Sequence, residues 1–338
     1  MSELERFKTE INLGELAAHY GYAIDRRDSG RVSVAMRRAS DDDKVVISRG
    51  TDGHWVYFSV RDANDNGTVI DFIANRTALS FGRIRQELRP WIGKGGTKPN
   101  VARQLFASHV EPTTKDRAQV LKALHQMPVI TEHPYLLERG ITPELLQSSR
   151  FRGKVLTDAR CNAVFPHVDR GGFCGYEQKN RNPKTGESWT GFSPGGTKGL
   201  WFSHITRADT RLVVTESAID ALSFHALHPH PETRYASTGG SLNPTQPELL
   251  SGALQKLPEG GAFLIATDAD TAGRRLAENL AEIADGVGRA DLGVQRVEPP
   301  EEGQDWNDQL RAKLPQPGLP FSAPQRGATL RPHPKQSD

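Results

Sequence analysis

Six acidic residues between positions 216 and 308 fall in three pairs: Glu216 with Asp220, Asp268 with Asp270, and Asp305 with Asp308. Each pair follows an apolar or β-branched run. "RLVVTES" delivers Glu216, "AFLIATDAD" delivers Asp268 and Asp270, and "GVQRVEPP" precedes "EEGQDWNDQL" with Asp305 and Asp308. Carboxylates gathered without counter-ions repel one another, so such a cluster calls for cations. Hard divalent ions with oxygen ligands, Mg2+ or Mn2+, suit it. A carboxylate-held Mg2+ that also touches substrate phosphates is the arrangement phosphoryl transfer uses. A plainer reading stands beside this one: Asp270 opens the helical pattern "TAGRRLAENLAEI" and suits an N-cap, and the set reads alternatively as three caps and a solvated loop.

The chemistry needs elements that bring these residues together. From 211 onward strand and helix alternate: "RLVVTES", "AIDALSFHAL", "RYASTGGS", "PELLSGALQKL", "AFLIATDAD", "TAGRRLAENLAEI", "GVQRVEPP". That alternation argues for a parallel sheet with helical cover. In such a sheet ligands sit beyond the carboxyl ends of the strands. Carboxylates 52 residues apart (216 to 268) and 37 apart (268 to 305) then converge on one edge. If the third strand ran on to Asp270, Asp268 and Asp270 would share a face.

Upstream, residues 1–90 read as a small α+β module. "LGELAAHYGY" has helical spacing, three short strand-like runs follow ("GRVSVAMRR", "DKVVISRG", "HWVYFSV"), and "GTVIDFIANR" opens a second helix. Residues 91–117 read as a linker. Residues 118–150 look helical, with a start at Thr142-Pro143, and 151–203 are β-rich, with "NAVFPHVD", "GGFCGYEQKN" and "GLWFSH" as strands. The proline-rich stretch 313–338 reads as disordered.

Net charge is only +2, but it is unevenly spread. Residues 150–211 carry 11 Lys/Arg against 5 Asp/Glu, and residues 212–310 carry 6 against 16. A basic segment before an acidic one suits a protein that grips a polyanion with one part and a metal with the other. The two cysteines, Cys161 and Cys174, are too few for a four-thiolate site and are expected as small core residues. No signal-peptide pattern or membrane-length apolar run is visible, so a cytoplasmic protein without membrane contact is expected.

The acidic pattern resembles the signature of the TOPRIM domain, which DnaG-type primases, type IA and II topoisomerases and OLD-family nucleases share. The carrying residues are Glu216 in "VVTESAIDALS", Asp268 and Asp270 in "ATDADTAGRR", and Asp305 in "GQDWNDQL". The "D-x-A-G-R" continuation and the late "D-W-N-D" are similar to the primase branch. So are "HPYLLERGITPELLQSSRF" and "NAVFPHVDRGGFCGYEQKN", which resemble the opening helix pair and the strands of a primase core. The whole is most similar to the stand-alone primase-like proteins of plasmids and integrative elements.

The resemblance implies an α/β fold: a TOPRIM parallel sheet with helices on both faces at 211–312, a basic α+β primase-core subdomain at 118–210, and the amino-terminal module. It implies a nucleotidyltransferase making short RNA primers on single-stranded DNA from nucleoside triphosphates. Glu216 would work close to the reacting atoms. Asp268 and Asp270 would hold Mg2+ or Mn2+, with Glu216, Asp220, Asp305 and Asp308 as further candidate ligands. Lys179, Arg181, Lys184, Lys198, Arg274 and Arg275 are the candidate contacts to nucleotide or template.

The amino-terminal module resembles the zinc-binding domain of the same primases but lacks its cysteines. His19 and His54 alone cannot build a tetrahedral site, so no zinc is expected. A small core around Trp55, Tyr57, Phe58 and Phe72 is expected instead, with Trp55, Arg49 and Arg61 as candidate template contacts. No counterpart of the primase helicase-binding domain is expected, and a helicase or relaxase partner stays open. Two other readings fit the same cluster: a TOPRIM nuclease, and an inactive accessory protein that binds single-stranded DNA.

Overall fold

A computed structural model describes residues 2–50, 52–60, 65–99, 110–111, 114–182, 186–243 and 245–314. Residues 315–338 of the tail expected at 313–338, and the candidates Arg61 and Lys184, lie outside these residues.

The amino-terminal part begins with α1 (Glu3–Glu10) and α2 (Leu13–His19). Five strands follow: β1 (Tyr22–Asp25), β2 (Ser33–Arg38), β3 (Asp43–Arg49), β4 (Trp55–Ser59) and β5 (Asn66–Thr68). Then come α3 (Val69–Ala74) and α4 (Phe81–Leu88). The strands form an antiparallel meander in chain order. Period-two alternation turns Met36, Val45, Ile47, Trp55 and Tyr57 inward, against Phe7, Leu16, Phe72 and Leu88 of the helices. The same pleat corrects two expectations. Phe58, alternate to Trp55 and Tyr57 across the strand, faces outward and is 52% exposed, so it is no part of the core. Trp55 is buried beneath the Arg49 guanidinium and offers no face to a base. His54 is spent on Glu5 and Asp52, and His19 packs edge-on against Trp91.

The middle part opens with α5 (Arg117–His125), α6 (Pro134–Glu138) and α7 (Pro143–Gln147). The Thr142 hydroxyl caps α7 by accepting from Leu145 N at 3.4 Å. The antiparallel sheet β6 (Leu156–Thr157), β7 (Ala163–Asp169), β8 (Gly172–Arg181) and β9 (Ser188–Phe192) follows. Cys174 is buried as expected. Cys161 is exposed instead, because it occupies the left-handed position (φ 58°) of a tight turn before β7.

β10 (Trp201–Phe202) does not join that sheet. It runs antiparallel to β12 (Thr233–Ser237), and so edges a second sheet with β11 (Arg211–Thr215), β13 (Ala262–Ile265) and β14 (Gly293–Arg296). The order is β10-β12-β11-β13-β14, with all but β10 parallel. Strand alternation builds both layers. Val213 and Tyr235 face α8 (Ala218–Leu227) and α11 (Trp306–Ala312). Leu212, Val214, Phe263 and Ile265 face α9 (Gln246–Gln255) and α10 (Thr271–Gly286). The first of these cores also takes in Tyr135, Leu136, Phe151 and Phe165, so the two sheets are packed as one body. Arg150 seals the join: its guanidinium makes a bidentate, buried pair with Asp209 (2.8 and 3.0 Å) and donates to the carbonyls of His204 and Pro231.

Candidate active site

Two strand ends, those of β11 and β13, and two helix starts, those of α8 and α11, build the acidic edge. Glu216 follows β11, and its carbonyl accepts from Gly240 N (2.9 Å), tying it to the loop after β12. Ser217 caps α8: its hydroxyl accepts from Asp220 N and donates to Asp220 Oδ2 at 2.6 Å, which fixes that carboxylate one turn along the helix. After β13 the chain leaves the sheet. Ala269 N donates to Gln304 O and Gly303 N to Ala269 O, so the loops carrying Asp268 and Asp305 are laced together. Trp306 Nε1 donates to Ala266 O at 3.0 Å and pins α11 at the same place. Gly273 is what lets α10 start so close by, because a Cβ there would stand 2.2 Å from the Asp268 carbonyl oxygen.

Glu216, Asp220, Asp268 and Asp305 line one cleft of about 330 Å³, together with Arg139, Glu177 and Lys179 from the middle part. Burial is the main force on all four acids, and neighbouring carboxylates raise them further. The Glu216 carboxyl is pushed up by burial and then by Asp220 and Asp270. Asp220 is raised by burial and by Asp305. Asp268 goes furthest, through burial and the charges of Asp220, Glu216 and Asp305, and Asp305 itself is raised by burial. Glu216 Oε1, Asp220 Oδ1 and Asp268 Oδ1 are buried without any hydrogen-bond partner. Unpaired, mutually repelling oxygens are the donor set a hard divalent cation takes, so these residues fit Mg2+ or Mn2+. Among the described residues no three His, Cys, Asp or Glu side chains already close as a metal cage. The carboxylates surround open space instead.

Two acidic candidates fall elsewhere. The strand stops at Ile265, well before Asp270, and Asp270 caps α10 by accepting from Gly273 N at 2.7 Å. Capping is thus its observed contact, although its charge still reaches Glu216 and Asp268. Asp308 lies in the first turn of α11, where its backbone N–H serves the Asp305 cap at 2.6 Å. Its half-exposed side chain turns toward Arg311, outside the cleft.

The basic candidates also divide. Lys179 lines the cleft 3.3 Å from Glu177; burial pulls its ammonium down, but Glu177 and Asp220 outweigh this and hold it charged. Lys198 does not stand free: its Nζ donates to the carbonyls of Gly239 (3.0 Å) and Ser241 (2.5 Å), and burial lowers it to about 8. It braces the glycine loop that borders the cleft. Beneath that loop His167 is wholly buried, donating from Nδ1 to Gly199 O, and a Cβ on Gly239 would come within 2.9 Å of its ring. Arg181 pairs with Glu138 on the surface, and Arg274 pairs with Glu302. Neither they nor Arg275 line the cleft.

Sequence reasoning passed over Arg139, Asn307 and Glu177. Arg139 ends α6, donates to Asn307 Oδ1 (3.0 Å) and Ser188 Oγ (3.3 Å), and has its own carbonyl held by Asn307 Nδ2 (2.7 Å). The strings "ERG" and "EQK" place Arg139 at a turn and Glu177 on a strand, and neither marks a cleft.

Residues 213–310 match the Toprim_2 family, described as Toprim-like, and residues 134–208 match a family described as a protein of unknown function (DUF3991). No curated protein matches the chain. Among solved structures, a DNA primase domain from Pseudomonas aeruginosa is similar at 17% identity and a TM-score of 0.34, over 50% of this chain and 54% of that one. The RNA polymerase domain of Mycobacterium tuberculosis primase DnaG is similar at 17% and 0.32, over 50% and 57%. The same domain in complex with double-stranded DNA gives 16% and 0.31, over 53% and 62%. The chain thus spans little more than half the length of the solved structures it matches. Its acidic sheet is a Toprim-like domain.

Proposed function

We propose that this chain is a primase-like nucleotidyltransferase that makes short RNA primers on single-stranded DNA, for replication or transfer of a plasmid or related mobile element. What supports the reading most is a single arrangement: buried carboxylates of a Toprim-like sheet, three of them with an unpartnered oxygen, face the charged Lys179 and Arg139 of the neighbouring part across one cleft. One side of the cleft suits metal, and the other suits phosphate.

Glu216, Asp220 and Asp268 would hold Mg2+ or Mn2+ through their unpaired oxygens, with Asp305 beside them. A bound divalent ion supplies Lewis-acid polarisation and neutralises charge on the phosphates. The chain's own groups do the rest. Glu216, at the end of β11, would position the primer 3′-hydroxyl and receive its proton as the oxygen attacks the α-phosphorus and pyrophosphate departs. Lys179 and Arg139 would draw the triphosphate and template backbone into the cleft. Asp270 would act through the cap it gives α10, which sets the loop bearing Asp268.

The test incubates the protein with single-stranded DNA, labelled nucleoside triphosphates and Mg2+ or Mn2+, with Asp268→Ala as control. Metal-dependent oligomers that vanish in the variant are expected. Shortened DNA would mean a TOPRIM nuclease, and retarded but unchanged DNA an accessory binding protein; either result overturns the polymerising reading.

A further inference from the structure

One buried acceptor on the wall opposite the acid cluster has nothing to accept from. Glu177 is 4% exposed and lines the cleft. Its Oε1 lies 3.3 Å from Lys179 Nζ, while Oε2 is buried with no partner at all. Buried carboxylate oxygens are costly to leave unpaired, so a native site that keeps one asks for a donor that arrives with the ligand. The position is built by the sheet. Glu177 and Lys179 are alternate residues of β8, opposite Phe192 and Thr190 of β9, and so share the face turned to the cleft. Residue 177 lies outside the Toprim-like segment, in the segment matched only to a family of unknown function.

The chemistry of the donor follows from the charges. Lys179 already neutralises this carboxylate, whereas Glu216, Asp220 and Asp268 have no ion pair among the described residues. A divalent cation therefore goes to the cluster, and Glu177 Oε2 is left for a neutral donor. In a nucleotide cleft the neutral donor beside a phosphate-binding cation is a sugar hydroxyl, a group that carboxylates accept from in other nucleotide sites. We propose that Glu177 reads the sugar of the bound nucleotide: Oε2 accepts a hydrogen bond from the ribose 2′-hydroxyl while Oε1 holds Lys179 toward the phosphates. The cleft then selects ribonucleoside over deoxyribonucleoside triphosphates. This rests on the nucleotide-polymerising reading above.

Calorimetry on the full chain, with Mn2+, a non-hydrolysable ATP analogue and its 2′-deoxy counterpart, tests it. The wild type is expected to favour the ribonucleotide by about ten- to a hundredfold, the worth of one hydrogen bond to a charged acceptor. Glu177→Met, which fills the space but accepts nothing, should bring the ratio near unity. Glu177→Gln, which still serves Lys179, should give a smaller ratio than the wild type. A wild-type ratio near unity, or an undiminished ratio in Glu177→Met, overturns the assignment while leaving nucleotide binding intact. Should the Met variant fail to fold by circular dichroism, an unchanged ratio in Glu177→Gln overturns it equally. If neither nucleotide binds the wild type, this assignment and the polymerising reading fall together.

Discussion

Replacing Asp268 with Asn should stabilise the metal-free protein, and the gain should grow with pH. Asp268 is the carboxyl that burial and the charges of Asp220, Glu216 and Asp305 raise furthest. A carboxyl with a raised folded pKa keeps a proton that the unfolded chain gives up near pH 4. Its contribution to stability is therefore fully present below that value and is lost as pH rises toward the folded pKa. Each pH unit in that window costs about 1.4 kcal/mol. Asn is neutral at every pH and escapes the loss. From pH 6 to 8 the wild type should fall behind Asp268→Asn by about 3 kcal/mol, or roughly 6–12 °C in Tm for a body of this size. Burial lowers His133, His167 and His225, and lowers Lys198 to about 8, so these groups add a pH dependence of their own. They do so in both proteins and cancel in the difference. The assay is thermal unfolding in EDTA across pH 6–8, repeated with Mg2+. Added Mg2+ should raise the wild type more than the variant. A Tm difference that stays flat with pH, or a variant less stable at pH 8, would refute the idea that these carboxylates strain one another.

Other substitutions separate metal holding from scaffolding. Asp270→Asn keeps the α10 cap and should change stability little, whereas Asp270→Ala should cost about 1 kcal/mol in denaturant unfolding; both should retain more Mn2+ affinity than Asp268→Asn in titration. Gly273→Ala forces a Cβ against the Asp268 carbonyl, and Mn2+ affinity should drop about ten- to a hundredfold through the displaced loop. Arg150→Ala leaves buried Asp209 without its guanidinium, for which urea unfolding should show a loss of about 3–5 kcal/mol. Arg76, whose side chain is 3% exposed between Asp43 and Asp65 and lies over the Phe72 ring, should cost a similar amount when changed to Met.

The acidic edge was legible because a parallel sheet converts strand order into proximity. Once β11, β13 and β14 are read as parallel, Glu216, Asp268 and Asp305 must come near one another. Asp270 and Asp308 mislead for a local reason: both stand in the first turns of helices, and one residue of helical rotation or one capping bond decides whether a carboxylate enters the cleft. Phe58 misleads through the pleat, since three aromatics in four residues cannot all face one way. Strands of four and three residues, β1 and β5, carry too little alternation to be read. Glu177 and Arg139 were invisible for a different reason. Their role exists only after the antiparallel sheet and the parallel sheet have packed, and no local pattern encodes that docking.

The shared core has a consequence for how the chain is made. The amino-terminal cluster gathers residues from Phe7 to Val110 and is complete once that stretch has left the ribosome. The cluster beneath the cleft gathers residues from Ile130 to Leu310, and β10 waits for β12, translated more than thirty residues later, before its edge is paired. Domains fold as units during synthesis, and distant pairings come late. The nascent protein therefore carries an ordered amino-terminal module long before it owns a cleft. Until Trp306 reaches Ala266, its acids are scattered along an open sheet edge, and a half-made chain has no cleft to offer a ligand.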